Sequence, residues 1–330
     1  MKLIPLKGKI MSHRRVPQSS PRPRRSMLAV PASSMKMMTK ACGTDADVVF
    51  LDLEDAVSAG EKPAARQTAI QAINELDWRG HGKTIALRIN GLDTAWTYRD
   101  LIEVLEAVGD NLDSVIIPKL GSPHDLYAVD VIVTQIAASQ GIAPVALEGL
   151  IETAQGASNL EAIAQYNQEI GSHRLEALHF GAGDYAASVD ARTVEIGGLN
   201  PDYPGDQWHG IVSRLVAASR AHGIVPMDSA YGDFGDPEGY TAAAKRAIAI
   251  GFAGKWAIHP SQIPLANEVF SPSEADVERA RGILKALDDA AAQGLGAVQY
   301  EGKMIDVASE RMARSILKVH DNILKSKGVT

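Results

Sequence analysis

The sequence predicts an α/β fold, and within that class a TIM (β/α)₈ barrel with a C-terminal helical and hairpin extension. Three observations predict it. Eight short apolar runs recur along the chain, segments with apolar residues at helical spacing fall between them, and polar residues follow closely on the runs. Runs of this length, bounded by turn signals, suit strands buried on both faces. Strands that alternate with helices make a parallel sheet. An open doubly wound sheet satisfies the same alternation, but eight units favour the closed barrel.

In chain order the strands are expected at 27–30, 47–51, 84–89, 114–117, 145–150, 177–180, 224–227 and 255–258, with helices at 62–76, 101–108, 126–139, 160–166, 209–222 and 239–250. Beyond Pro272 the pattern changes. A long helix is expected over 273–292, with Glu274 three residues after Ser271 as its start signal. A hairpin follows over 298–306, turning at Glu301 and Gly302, and a last helix over 307–325. The expected organisation is a flexible basic tail (1–25), a catalytic barrel (26–270) and an extension (271–330) serving as a lid or an oligomer contact.

Composition narrows the function. The net charge of −7 argues against nucleic acid as a partner. No apolar run approaches the roughly 18 residues of a membrane span. The single cysteine, Cys42, fits a reducing compartment, and a cytoplasmic location is expected. Residues 1–25 carry eight basic residues, four prolines and no acid. They have no apolar core of a secretory signal. A transit peptide would share this composition, and Met11 is an alternative start.

The polar residues after the runs are Asp52, Glu54, Asp55, Arg88, Asn90, Lys119, Glu152, Asp184, Asp228 and His259. In a barrel they would face one mouth, where active sites sit. Glu152 and Asp184 form the candidate metal pair. Two carboxylates without a His/Cys cluster suit Mg²⁺, with Mn²⁺ as an alternative, rather than zinc. Gly183, in the GAGD motif, leaves room for a ligand beside the backbone. Arg88 is placed to grip a carboxylate bidentately, with pairing to Glu54 or Asp55 as the bland alternative. Such a site suits aldol-type chemistry on a 2-oxo acid. Lys119 keeps a Schiff-base mechanism open as a lesser alternative.

The stretches RSMLAVPA (25–32), VVFLDLEDAV (48–57), LRINGLDT (87–94), IIPKLG (116–121), LIETAQG (150–156), HFGAGDYAAS (179–188) and GKWAIHPSQI (254–263) resemble the HpcH/HpaI aldolase / citrate lyase β-subunit superfamily. RINGLDTAWTYRDL (88–101), YGDFGDPEGY (231–240), NEVFSPSEADVERAR (267–281) and EGKMIDVAS (301–309) resemble its L-malyl-CoA / β-methylmalyl-CoA lyase branch. The resemblance implies a TIM barrel, homotrimeric or homohexameric, acting on acyl-CoA and 2-oxo acids with Mg²⁺. It implies Glu152 and Asp184 as metal ligands, Arg88 on the keto-acid carboxylate, and Glu54 and Asp55 around the metal. It implies Asp306 as the acid or base at the α-carbon, supplied by a neighbouring subunit. It places Arg25, Lys40, His259 and Pro260 beside coenzyme A. Ser33 and Ser34 depart from the pattern, standing where a basic residue is often seen, and the 196–210 loop is shorter than its counterpart. The competing expectations are a citramalyl-CoA or citryl-CoA lyase, a malyl-CoA thioesterase, and a CoA-binding scaffold without activity.

Overall fold

The computed structural model describes residues 22–171 and 173–326. Eight parallel strands follow one another as β1 (Ser26–Pro31), β2 (Val48–Asp52), β3 (Thr84–Arg88), β4 (Ser114–Ile117), β5 (Ala146–Ile151), β6 (Leu175–Phe180), β7 (Val225–Met227) and β8 (Lys255–Ala257). They are hydrogen-bonded in the order β7-β6-β5-β4-β3-β2-β1-β8. The last seam closes at Asp228. Its N–H donates to the Gly254 carbonyl at 2.9 Å, and its carbonyl accepts from the Trp256 N–H at 3.2 Å. The expected barrel is formed.

Alternation along the strands builds two apolar layers. In β2, Val48 and Phe50 turn into the barrel with Met27, Ile116 and Trp256. Val49 and Leu51 turn outward against the helices. That is the period of two set by the pleat, and burial on both faces explains why the strands read as unbroken apolar runs.

The surrounding helices are α1 (Met35–Cys42), α2 (Lys62–Glu75), α3 (Thr97–Val108), α4 (Pro123–Gln140), α5 (Ala154–Ser158), α6 (Leu160–Ile170), α7 (Ala182–Ser188), α8 (His209–Ala221), α9 (Pro237–Ile250) and α10 (Gln262–Val269). Four of them, α1, α5, α7 and α10, have no counterpart in the sequence expectation. Each spans eight residues or fewer, too short to show a helical period.

The extension comprises α11 (Glu274–Ala292), a hairpin of β9 (Val298–Tyr300) and β10 (Lys303–Ile305), and α12 (Val307–Ser326), which packs against α11. Glu301 and Gly302 both have positive φ, +47° and +75°, as a two-residue type I′ hairpin turn requires. The start of α11 needs correcting. Its cap is Ser273, paired with Asp276 in a capping box, while the Ser271 hydroxyl donates back to the Asn267 carbonyl at 2.6 Å. Among the described residues, no helix is long and apolar enough to cross a membrane.

Most of the basic N-terminal stretch, 1–21, lies outside the described residues. Its last residues depart from the expected flexible tail. Arg24 is buried at the start of the barrel and donates to Glu148 at 2.9 Å and to Glu176 at 2.7 Å. Trp256 Nε1–H donates to His179 Nδ1 at 3.0 Å, which leaves His179 Nε2–H to donate to Glu148 Oε2 at 2.8 Å. Glu148 and His179 are both fully buried. Burial alone would raise the Glu148 carboxyl, but the Arg24 charge and the His179 hydrogen bond hold it well below the usual carboxylate range.

A carboxyl with a depressed folded pKa contributes stability that is present above its unfolded value and is lost as pH falls. Glu148→Gln should therefore cost about 3–5 kcal/mol at neutral pH, the range for removing one partner of a buried pair. The gap from wild type should narrow as pH drops below the ordinary value of 4.5. Urea unfolding of both proteins at neutral and acid pH measures this; a gap independent of pH would mean that Glu148 is not ionised.

Candidate active site

The C-terminal ends of β2 to β6 bring a set of charges to one mouth. Asp52 closes β2 and faces Arg88, which closes β3 in register with it. The Arg88 fork is spent on Asp52, with Nε to Oδ1 at 2.7 Å and Nη2 to Oδ2 at 2.6 Å. Asp52 also accepts the N–H groups of Glu54 at 2.9 Å and Ala56 at 3.1 Å, so it shapes the loop that carries Glu54 and Asp55. Arg88 Nη1 lies 2.9 Å from Glu54 Oε2 and 3.8 Å from Asp55. The expected bidentate grip on a ligand is thus corrected: Asp52 holds both forks, and Nη1 is the nitrogen left toward the mouth. The bland alternative is realised too, with Asp52 as the principal partner.

Lys119, just past β4, has φ +50°, a left-handed backbone unusual for a residue with a side chain. Its N–H donates to Glu152 Oε1 at 2.8 Å. Its ammonium donates to Glu54 and lies 3.9 Å from Asp55 and 3.7 Å from Asp184. Burial would lower the Lys119 pKa, but Glu54, Glu152 and Asp55 raise it above the ordinary lysine value. A protonated amine is no nucleophile, which counts against a Schiff base here.

Glu152 follows β5 and is 2 % exposed. Its carboxyl is packed against the bare Cα of Gly181; a Cβ there would lie 2.4 Å from Oε2. Asp184 sits in the first turn of α7, more exposed. Burial raises the Glu152 carboxyl well above the usual carboxylate range, and the charges of Glu54 and Asp184 raise it further, against Arg88 and Lys119. Burial likewise raises Glu54 above its ordinary value despite Arg88 and Lys119. Glu54 Oε2 is buried and has no hydrogen-bond donor, its approach to Arg88 lacking that geometry. Carboxyl groups crowded to this degree fit an added cation. Among the described residues, no group of three or more His, Cys, Asp or Glu is arranged to hold a metal. The donors present suit an ion that takes one or two carboxylates and completes its shell with water and ligand, as Mg²⁺ does.

The other expected residues divide. Gly183 lies beside Asp184, with Ile196 from the 196–210 loop packed 3.5 Å from where its Cβ would be. His259 and Pro260 are exposed beyond β8, and the His259 ring stacks on Phe234 at 4.9 Å. Arg25 is a correction: it precedes β1, at the opposite end of the barrel. Its guanidinium is taken by Asp47 at 2.6 and 2.8 Å and by Ser271 at 2.9 Å. For Lys40 the structure gives a position and not an assignment. It is exposed in the last turn of α1, while Lys36 occupies the first turn, the one next to the mouth. Asp306 is not brought to this group within its own chain; its carboxylate accepts from the Ala308 and Ser309 N–H groups at 2.9 and 3.3 Å and caps α12. Two members of the polar ring serve structure. Asn90 is bound to Asp100, and Asp228 accepts from the buried Lys255 at 2.6 Å.

Comparison with known proteins identifies the family. A sequence profile of the HpcH/HpaI aldolase/citrate lyase family matches residues 25–260. The chain is 45% identical over 318 residues to an L-malyl-CoA/β-methylmalyl-CoA lyase of Cereibacter sphaeroides, covering 93% of this chain and 98% of that one. It is 36% identical to a (3S)-malyl-CoA thioesterase of the same species, over 86% of this chain and 90% of the relative. Among solved structures it resembles the protein CitE of Mycobacterium tuberculosis in complex with magnesium, acetoacetate and coenzyme A. That match has a TM-score of 0.70 and 29% identity over 89% of this chain and 97% of that one.

Gly181→Ala should force Glu152 as a whole to move, since its Cβ would meet Glu152 Oε2 at 2.4 Å and Glu152 Cβ at 2.6 Å. Calorimetric titration with Mg²⁺ is expected to show affinity reduced by roughly ten-fold or more, the scale at which disturbed ligand positioning is felt. Wild-type affinity in this variant would remove Glu152 from the candidate ligands.

Proposed function

The chain belongs to the HpcH/HpaI aldolase/citrate lyase family, and from that premise we propose that it is a Mg²⁺-dependent carbon–carbon lyase. It cleaves L-malyl-CoA or β-methylmalyl-CoA to glyoxylate and acetyl-CoA or propionyl-CoA, and runs the condensation in reverse, in the cytoplasm. The observation that carries this reading is the convergence of Glu54, Asp55 and Asp184 on the Lys119 ammonium, with Glu152 on the Lys119 backbone N–H and Arg88 Nη1 beside Glu54.

In this reading Glu152 and Asp184 hold the ion, and Glu54 and Asp55 bind its water or brace the ligands. Mg²⁺ held there supplies electrostatic stabilisation to the oxygen that gains negative charge as the carbon–carbon bond breaks or forms. Arg88 Nη1 donates to the 2-oxo acid carboxylate. Lys119 keeps its charge and draws the anionic substrate toward the mouth. His259 and Pro260 stand beside coenzyme A. Asp306 moves the proton at the α-carbon from a neighbouring subunit in a homotrimer or homohexamer, because its own chain keeps it on the extension.

The 36% identity to a thioesterase supports a second reading, in which water attacks the thioester carbonyl. The products separate the two, since a thioesterase yields malate and CoA without glyoxylate.

Purified protein given malyl-CoA is expected to release glyoxylate with Mg²⁺ and to stop with EDTA. Glu152→Gln and Asp184→Asn should each lower turnover by roughly 100-fold or more; full activity in either would sink the ligand assignment. Because a ligand carboxyl must lose its proton and Glu152 is raised well above 4.5, Mg²⁺ affinity should rise with pH over the range above the ordinary carboxylate value. Calorimetry across that range checks the sign, and a falling affinity would contradict it.

A further inference from the structure

The barrel interior holds polar side chains that the proposed chemistry does not use. TIM-barrel interiors are ordinarily filled with branched apolar residues, and burying charged groups is costly. Glu148 and His179 are nonetheless fully buried there. Their chain of contacts leads to Arg88. Trp256, whose indole is fixed by His179, presents its ring to the guanidinium, with Arg88 Cζ 5.7 Å from the ring centroid. Phe50 packs on Trp256 at 4.6 Å and lies 5.9 Å from the same Cζ. Both distances lie within cation–π range.

We propose that Trp256, held by His179 and Glu148, is a positioning residue for Arg88, setting the plane of the guanidinium and so the direction of Nη1. Asp52 alone holds the fork at one edge, and a bidentate pair can still tilt about the axis joining its two hydrogen bonds. A ring surface beneath the guanidinium removes that freedom. The indole N–H reaches an acceptor only in one orientation of the ring. The acceptor is Nδ1, which the Glu148 carboxylate keeps free by accepting the hydrogen bond of the Nε2–H. Arg24 anchors Glu148 at the far end of the barrel. Arg24 Nε and Nη1 are buried without a partner, but the links from Glu148 through His179 to Trp256 are all made, and buried hydrogen bonds joined in this way stiffen what they touch. The inference rests on the reading of Arg88 as the carboxylate-binding residue.

The test is Trp256→Phe, which keeps a ring but removes the N–H, and Trp256→Leu, which removes the ring. Calorimetric titration with glyoxylate in the presence of Mg²⁺ reads the carboxylate site without requiring turnover. The KM for glyoxylate in condensation with acetyl-CoA gives a second reading. The leucine variant is expected to bind glyoxylate about ten-fold more weakly, the effect of losing a desolvated cation–π contact. The phenylalanine variant should fall between it and wild type. Mg²⁺ affinity should be unchanged in both, because Trp256 does not contact Glu152 or Asp184. A merely structural role would lower the active fraction and the melting temperature while leaving KM alone. If the leucine variant does not fold, Trp256→Phe decides. Wild-type glyoxylate affinity in folded Trp256→Phe overturns the proposal, and so does an equal loss of Mg²⁺ affinity. If wild type binds glyoxylate but forms no malyl-CoA, the lyase reading fails while the positioning role is still decided by the titration.

Discussion

Five carboxylates share one mouth of the barrel with Arg88 and Lys119, while Lys62 holds the Leu53 and Glu54 carbonyls from behind, and the site's geometry follows from that shortage of positive charge. Asp52 takes the Arg88 fork, and Lys119 lies among Glu54, Asp55 and Asp184. Glu152 accepts a backbone N–H, and the charges of Glu54 and Asp184 oppose its ionisation. Leaving a buried carboxylate under-compensated costs free energy, which is the physical ground for the Mg²⁺ proposed at this mouth.

The two ends of the barrel are joined by a polar path through its middle. From Arg24 it runs through Glu148 and His179 to Trp256, and from there to Arg88. Apolar layers surround it, including Phe50 and Ile116. In such surroundings hydrogen bonds strengthen, and an unmade one is expensive. The path is therefore far stiffer than a surface network of the same length. The extension differs in kind. Met304, Val307 and Met312 are exposed on it, and Asp306 caps its own helix.

The strands were legible because both of their faces are buried, so each shows as an unbroken apolar run. The turn at Glu301 and Gly302 was legible because a two-residue hairpin demands positive φ. Helices of eight residues or fewer were not, since a single turn or two has no period. The residues that meet at the mouth were legible by their place after the strands, as with Glu54, Arg88, Lys119, Glu152 and Asp184. Their pairing was not. Asp52 stood in the polar ring without a role, yet it orders the whole β2 loop. Arg25 and Lys40 were assigned to coenzyme A by likeness, and position along the chain did not reveal that one lies at the wrong end of the barrel and the other in the last turn of its helix.

By itself, the sequence determined the barrel, the order of its parts and the chemical character of its mouth, because periodicity and strand-end placement are local properties. Tertiary structure alone decided which charges pair, which nitrogen of Arg88 is turned toward Glu54 at the mouth, and that Glu148 and His179 lie inside the barrel. Those contacts join residues 36 positions apart at Arg88 and Asp52 and 124 apart at Arg24 and Glu148, and only closure of the sheet brings such partners within hydrogen-bond reach.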